Sequence, residues 1–526
     1  MATYDVVIAG GGHNGLIVAA YLAKAGVNVC VVEHHPFVGG GVITQELNVP
    51  GFKYDTCATW HGFIQSNPLI RNDELELQSK FGLKYIHPKY QTGVIFEDET
   101  CFMFYPDLDR TCASIATFSE HDAEAYRRFH DWSVTSLDML VEGMFAPPPS
   151  LGTMVTMLEQ SDIGKSLLRG LMVSILDVVD EWFENEKIKI ALSRFATEMM
   201  LHPGHAGTAL LLYIFVPLMH KYGAAVPQGG SGQLSESLAR CIEHHGGTIR
   251  LSSTIKNFKI AAGECTGVVL ESGEEILAKK AVVTNFHIKQ IFPGMVGDTS
   301  LPDGFQNNVD LLKHSDFMPM NQHIALKEAP KFKVGGDIDK AFWVETAHSN
   351  REEYLRAFDD ICYGHPRSDL YISMIATHDD PSRAPEGNHT QYLYCFNPYV
   401  LADGGPERWD EIGQEIADGV LENLRGITTN MGDENILGRT IMTPLDYGRT
   451  KPSQLSADFN HLGMFFWQNS GQRPLPGYHQ YRMPIDKLYL CGPSAHPGGG
   501  CVGGGRAPVQ VVMEDLGIDF EKVISA

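Results

Sequence analysis

An α/β fold opening on a dinucleotide-binding βαβ unit is what this 526-residue sequence predicts, and three observations predict it. The apolar run DVVIA, residues 5–9, leads straight into Gly10-Gly11-Gly12-His13-Asn14-Gly15. Residues 14–25 (NGLIVAAYLAKA) then carry helical spacing, and a second apolar run over 28–33 (NVCVVE) ends in an acid. A short apolar run bounded by glycines reads as a buried strand. In the helix Leu16, Ala19, Ala20, Leu22 and Ala23 share the packed side, and Gly26 stops it. Gly10 permits the tight turn, Gly12 lets the backbone approach a pyrophosphate, and Gly15 allows close helix packing, while the helix N-terminus favours negative charge. Glu33 stands where a carboxylate can accept both hydrogen bonds of an adenosine ribose.

Farther along, residues 110–200 are rich in helix formers and interrupted by Pro147-Pro148-Pro149, which reads as a helical insertion. The run ALLLYIFVPLM, Ala209 to Met219, is far short of the ~20 residues a bilayer needs and is expected as a buried helix or pocket wall. From residue 224 a helix with Leu234, Leu238, Cys241 and Ile242 on one face stops at Gly246-Gly247, and strands at 265–272 and 275–284 flank Gly273. Between 300 and 450 the segments QHIALKEAP, DLYISMIATH and HTQYLYCFNPYV read as strands and 407–424 as a helix. This region, with Phe342, Trp343, Tyr371, Tyr392, Tyr394, Phe396 and Tyr399, is expected to shape a substrate cavity. Residues 487–491 form a last core strand, followed by a glycine-rich turn and a helix near 506–516.

Composition narrows the function. With 41 basic and 64 acidic residues the net charge is −23, which repels phosphates and excludes a nucleic-acid partner, leaving at most peripheral membrane contact. Ten cysteines contain no CxxC pair, the chain starts on a strand rather than a secretory leader, and a reducing, cytoplasmic setting is expected. His202 and His205 form an HxxH without a third ligand, so no metal site is expected.

The residues after Glu33 distinguish among dinucleotides. The segment VEHHPFVGGGVITQELNVPGFKYD, with Gly39-Gly40-Gly41, Thr44, Glu46 and a PGF-x-x-D block, resembles the phytoene-desaturase-like flavoproteins of the amine-oxidase and glutathione-reductase-type superfamily. Gly41 stands where the better-known members have Arg, which points to the branch of the PYROXD-type oxidoreductases. The resemblance recurs in VPQGGSGQLSESLARCIEHHGGTIRLSSTI, in DPSRAPEG, in TPLDYGRT and in RPLPGYHQYRMPIDKLYLCGPSAHPGGGCVGG, and so covers nearly the whole chain. It implies a glutathione-reductase-type Rossmann FAD-binding domain, in segments 1–105, 223–290 and 456–526, interleaved with an α+β substrate domain over 291–455 and a helical substrate region over 106–222.

The resemblance also implies FAD as cofactor, held by Gly10, Gly12, His13, Asn14, Gly15, Glu33, Gly40 and Gly41, by the backbone at Ile255, and by Gly492, Gly499, Gly500, Cys501 and Val502. It places His61 and the FHG-like His461 on the substrate side of the ring, with Tyr478 and Arg482 as further candidates for catalysis or charge stabilisation. The implied activity is desaturation of a hydrophobic or alicyclic metabolite by hydride transfer to flavin N5, with O2 or a quinone as acceptor. Alternatives are a flavin amine oxidase and a redox-neutral isomerase or non-catalytic FAD protein; self-association stays open. Gly229-Gly230-Ser231-Gly232 lacks both the fingerprint spacing and a downstream acid, so a second nucleotide site for NADPH is not expected.

Overall fold

The computed structural model describes residues 2–525, which build two seven-stranded sheets linked by a chain that crosses between them repeatedly. β1 (Ala2–Ala9), α1 (His13–Lys24) and β2 (Val29–Val32) form a βαβ unit, with β1 and β2 parallel and Val6 beside Val29. On the other side of β1 runs the strand Glu275–Thr284, also parallel, with Ile8 beside Val283. That strand serves two further neighbours. Its first residues pair antiparallel with Glu264–Leu270, and its last pair parallel with Leu488–Leu490. Ile255–Ala261 and Thr248–Arg250 close the two edges.

Alternate side chains of a strand point to opposite faces. Val6 and Ile8 therefore join one core, with Leu16 and Leu22, while Val7 and Ala9 join another, with Ile288, Ile291 and Phe305. Both faces are covered at the inner end of the strand, which is why Val6–Ala9 is an unbroken apolar run. α1 packs against the helices Gly232–His244 and Arg506–Asp515 as well as the sheet. Leu16, Ile17, Val18 and Ala19 are all buried, so the one-sided packing read from its spacing gives way to burial all round.

The second sheet has the order Ile436–Met442, Met318–Leu326, His389–Asn397, Tyr371–Met374, Trp343–Ala347, Thr92–Phe96, Cys101–Phe104. Its last two strands correct an expectation, because residues 92–104 fall within 1–105, the segment read as cofactor-binding. Their partner is the substrate sheet: Val344 lies beside Gly93 in a parallel pair. The reason is packing. Val94, Phe96, Phe102 and Phe104 fill the core beneath the helical region, while Ile95 and Met103 fill the core beneath the helix Trp409–Ile427.

Residues 106–222 contribute helices including Glu120–Phe145, Glu186–Thr197 and Ala209–Lys221, and the three prolines lie between the helices ending at Phe145 and starting at Leu151. Ala209–Lys221 is the buried apolar helix, with Pro217 inside it. Among the described residues no helix is long and apolar enough to cross a membrane.

Asp55, in the two-stranded pair of Thr44–Glu46 with Lys53–Asp55, ties together segments that lie outside both large sheets. Its Oδ1 accepts from Thr44 Oγ1 at 2.6 Å and from the Ser231 N–H at 2.8 Å, and Arg383 Nη2 stands 2.8 Å from Oδ2, near enough for an ion pair though off the hydrogen-bonding direction. Both side chains are inaccessible, so Asp55→Asn leaves a buried guanidinium without its counter-charge. A loss of about 3–5 kcal/mol is expected, read as a lower denaturant midpoint. An unchanged midpoint would show that the pair adds nothing.

Candidate functional site

One cavity, open to solvent, runs from Glu33 past the start of α1 and on to the second sheet. Its first part is a cradle of backbone. Gly10 has φ +96°, and a Cβ there would lie 2.1 Å from Asn285 Oδ1. A Cβ on Gly15 would lie 2.6 Å from the Gly10 carbonyl, so only glycine lets α1 sit this close to the end of β1. α1 starts at Gly12 with no side-chain cap. The His13 N–H donates to the Gly39 carbonyl at 3.3 Å, and the Asn14 and Gly15 N–H groups with the positive end of the dipole are left for an anion. Beside them Asn14 Oδ1 and His13 Nε2 are buried without a partner.

Glu33 closes this end. Its Oε2 accepts from the Gly11 N–H at 2.7 Å and its Oε1 from the His35 N–H at 2.9 Å, with His34 Nδ1 2.8 Å away. Burial pushes the carboxyl up, but the hydrogen bonds from His34, His35 and Gly11 outweigh it and hold the group below the usual glutamate range. The result is a buried, ionised acceptor at a strand end, the group a ribose diol needs. Gly40, Gly41, Gly500 and Cys501 wall the same cavity farther along. An uncapped helix start, unpartnered polar atoms, a carboxylate and glycine walls fit FAD.

The remaining positions read as cofactor contacts are not among the residues that wall the cavity. Gly15 packs inward, against the Gly10 carbonyl and Ile8. Ile255 begins an edge strand, and Gly492, at φ +79°, turns against Asn285. Gly499 packs on Asn460, and the Val502 carbonyl accepts from Asn67 Nδ2 at 3.0 Å.

Beyond the cradle the walls become aromatic: Trp60, Phe63, Phe215, Trp343, Tyr392 and Tyr394, with Met374. Trp60 stacks on Phe215 with centroids 5.8 Å apart and meets Trp343 edge-on at 5.6 Å. Tyr392 Oη donates to the Cys57 carbonyl at 3.0 Å and Tyr447 Oη to the Thr56 carbonyl at 2.7 Å, pinning the segment that joins the two halves. Lys451 Nζ reaches the Gly40 carbonyl at 3.3 Å and Thr56 Oγ1 at 3.4 Å, and burial lowers its pKa. Lys451 and Glu198, which also lines the cavity, escaped the sequence reading. Lys451 directly follows the TPLDYGRT block and could have been found there; Glu198 has no motif around it.

The four catalytic candidates separate. His461 lines the cavity, with Nδ1 3.1 Å from Ser494 Oγ and its carbonyl accepting from His287 Nε2 at 2.7 Å. Burial holds its imidazole well below its usual pKa, with His287, Arg473 and His314 adding to the effect, so the ring is neutral. His61 does not line the cavity. It is fully buried, with Nδ1 3.1 Å from Tyr85 Oη and Nε2 3.0 Å from Ser231 Oγ, so both nitrogens already have partners. Tyr478 packs edge-on against Phe305 at 5.0 Å, and Arg482 pairs with Asp515 at 2.7 Å on the surface. None of these three lines the cavity: the blocks that carry the resemblance locate the backbone and do not turn these side chains toward it. His61→Ala, which opens a void and strands the Tyr85 hydroxyl while Ser231 keeps the Ala58 carbonyl, is expected to lower stability by about 2–4 kcal/mol. Intact stability in a denaturant titration would contradict that reading.

The turn at Gly229–Gly232 is closed to a second nucleotide. A Cβ on Gly230 would lie 2.3 Å from Thr44 Oγ1, and the N–H groups of Ser231 and Gly232 donate to Asp55 and Thr44. That helix start already has its acceptors.

Comparison with known proteins agrees with this geometry. The family described as flavin containing amine oxidoreductase matches residues 15–507. A rat protein, pyridine nucleotide-disulfide oxidoreductase domain-containing protein 2, is 30% identical over 98% of this chain and 94% of its own. One of the subunits of limonene dehydrogenase from Castellaniella defragrans is 24% identical over 98% of this chain and 95% of its own. Among solved structures, cyclohexylamine oxidase from Brevibacterium oxydans shares the fold with a TM-score of 0.60 at 15% identity, covering 97% of this chain and 98% of that one.

Proposed function

The chain belongs to the flavin containing amine oxidoreductase family, making it an FAD-dependent oxidoreductase, and from that premise we propose that it desaturates or dehydrogenates an apolar, alicyclic or polyene-like small molecule. The observation that carries the proposal is the continuity of the cavity, which joins the dinucleotide cradle to an aromatic end without a break. One relative is, by its name, a subunit of a limonene dehydrogenase, an enzyme named for a molecule of this class.

The chemistry that bound FAD supplies is two-electron oxidation of a C–H bond, with O2 or a quinone as final acceptor. The chain's own part is binding and exclusion. The start of α1 would hold the pyrophosphate and Glu33 the adenosine ribose, the glycines at 40, 41 and 500 leave room along the wall, and Trp60, Phe215, Trp343 and Tyr394 keep water from the substrate. That His461 lines the cavity and is held neutral beside Ser494 supports a role as hydrogen-bond acceptor toward the substrate. His461→Ala is expected to cut turnover by roughly 100-fold with FAD content unchanged. Wild-type turnover in that variant would return His461 to a structural role.

The reading is tested by anaerobic titration. Alicyclic and polyene compounds are expected to bleach the bound flavin, and NADPH is expected to do so slowly or not at all, since the second glycine turn is already filled. Bleaching by amines alone, with peroxide formed in air, would favour the amine-oxidase alternative. Rapid, saturable reduction by NADPH would contradict the acceptor assignment.

A further inference from the structure

The aromatic end of the cavity holds one carboxyl. Glu198 follows the helix Glu186–Thr197 as its C-terminal cap and lines the cavity beside Met199, Phe215, Trp343 and Tyr394. Protein encloses it, yet it keeps some accessible surface because the open part faces the cavity. Its Oε1 has no hydrogen-bond partner, and neither does the indole Nε1 of Trp60 or of Trp343. Behind it Arg194 Nε donates to Glu345 Oε2 at 2.5 Å, so the nearby guanidinium already has a counter-charge. Burial drives the Glu198 carboxyl well above the ordinary glutamate range, Glu345 adding to the effect and Arg194 opposing it.

The carboxyl is the polar group that keeps surface in a wall that is otherwise mainly apolar, and the two indole N–H groups stand enclosed and unpartnered in the same wall. Buried donors without acceptors are costly until an acceptor arrives. A hydrocarbon brings none, and an ammonium brings only more donors. We propose that Glu198 recognises a hydrogen-bond-accepting oxygen, a ketone or ester carbonyl, on an otherwise apolar substrate. The inference rests on the reading that the aromatic end is the substrate's. It separates this chain from enzymes of pure hydrocarbons while keeping the same apolar frame.

The test is binding rather than turnover. Menthone, p-menthane and menthylamine share one carbon frame and differ in the polar group, and each is titrated into the FAD-loaded protein with tryptophan fluorescence as readout, two of the six tryptophans lying at the site. Wild type is expected to bind menthone roughly 3–10-fold tighter than p-menthane. Glu198→Gln keeps a donor of the same shape and is expected to retain that preference. Glu198→Leu is expected to lose it and bind both alike. In difference infrared spectra the menthone carbonyl band is expected to move to lower frequency on wild type and not on Glu198→Leu. Equal affinity for menthone and p-menthane on wild type, or tightest binding of menthylamine, overturns the inference while leaving the aromatic end as a substrate site. Binding of none of the three overturns both.

Discussion

Gly12→Asp is expected to yield a folded, colourless protein. Gly12 is the N-cap position of α1, its backbone is extended at φ −66°, and it lines the cavity. Aspartate is a favoured N-cap: its carboxylate would accept the same first-turn N–H groups that are otherwise open to a phosphate. The substitution therefore supplies the helix with its own anion and repels the cofactor's. FAD recovered by heat release is expected to fall below roughly a tenth of the wild-type amount, with the far-ultraviolet circular dichroism unchanged. Gly12→Ala separates charge from bulk, because its Cβ meets only the Asn285 amide at 2.8 Å, and intermediate retention is expected. Full flavin content in Gly12→Asp would remove the pyrophosphate from this helix end.

Acid is expected to unfold the protein well before its carboxylates titrate. Burial lowers the pKa of His13 and His496 to about 4 and of His61, His287 and His323 to about 3. In the unfolded chain these imidazoles take up protons near 6.5; in the folded chain they do not until far lower pH. Their stabilisation is complete above pH 6.5, declines as pH falls below it, and stops declining only below the folded values. Each contributes about 1.4 kcal/mol per pH unit in that window, so the group is worth on the order of 5 kcal/mol over the first unit below 6.5. Denaturant midpoints at pH 7.5 and 5.5, with FAD held saturating, measure it. His323 has both ring nitrogens unpartnered between Tyr54 and Tyr392, and His323→Phe is expected to remove one histidine's share of the slope. A flat profile between those two pH values would refute the account.

The cradle was legible because its signals are local. Gly10, Gly12, Gly15 and Glu33 lie within one βαβ unit, where turn, helix start and strand end are set by neighbours in the chain. The aromatic end was legible only as composition: Trp343, Tyr392 and Tyr394 were noted as suited to a cavity, but Phe215 and Trp60 join them through packing between distant elements. His61 was misplaced for a related reason. The PGF-x-x-D block locates its backbone, while Tyr85 and Ser231 decide where its ring points. Glu198 left no trace in the sequence, since what makes it unusual is its enclosure and the charge of Glu345, neither of which is encoded nearby. The strands at 92–104 show the same limit for topology, because alternating apolar residues define a strand without naming its partner.

The pairing of Val6 with Ala281, and of Thr284 with Leu490, also governs when the protein becomes itself during synthesis. A ribosome delivers β1 and α1 within the first moments, yet β1 has only β2 for company until the chain has more than doubled back on itself, and Gly500 and Cys501 arrive last of all the cavity walls. Long-range parallel pairing of this kind is slow and leaves strand edges unpaired in the interval. The nascent chain thus carries an unpaired apolar strand edge until residues 275–284 of the 526 have been made. Capture of the flavin, which needs walls from both ends of the sequence, waits longer, until Gly500 and Cys501 are in place.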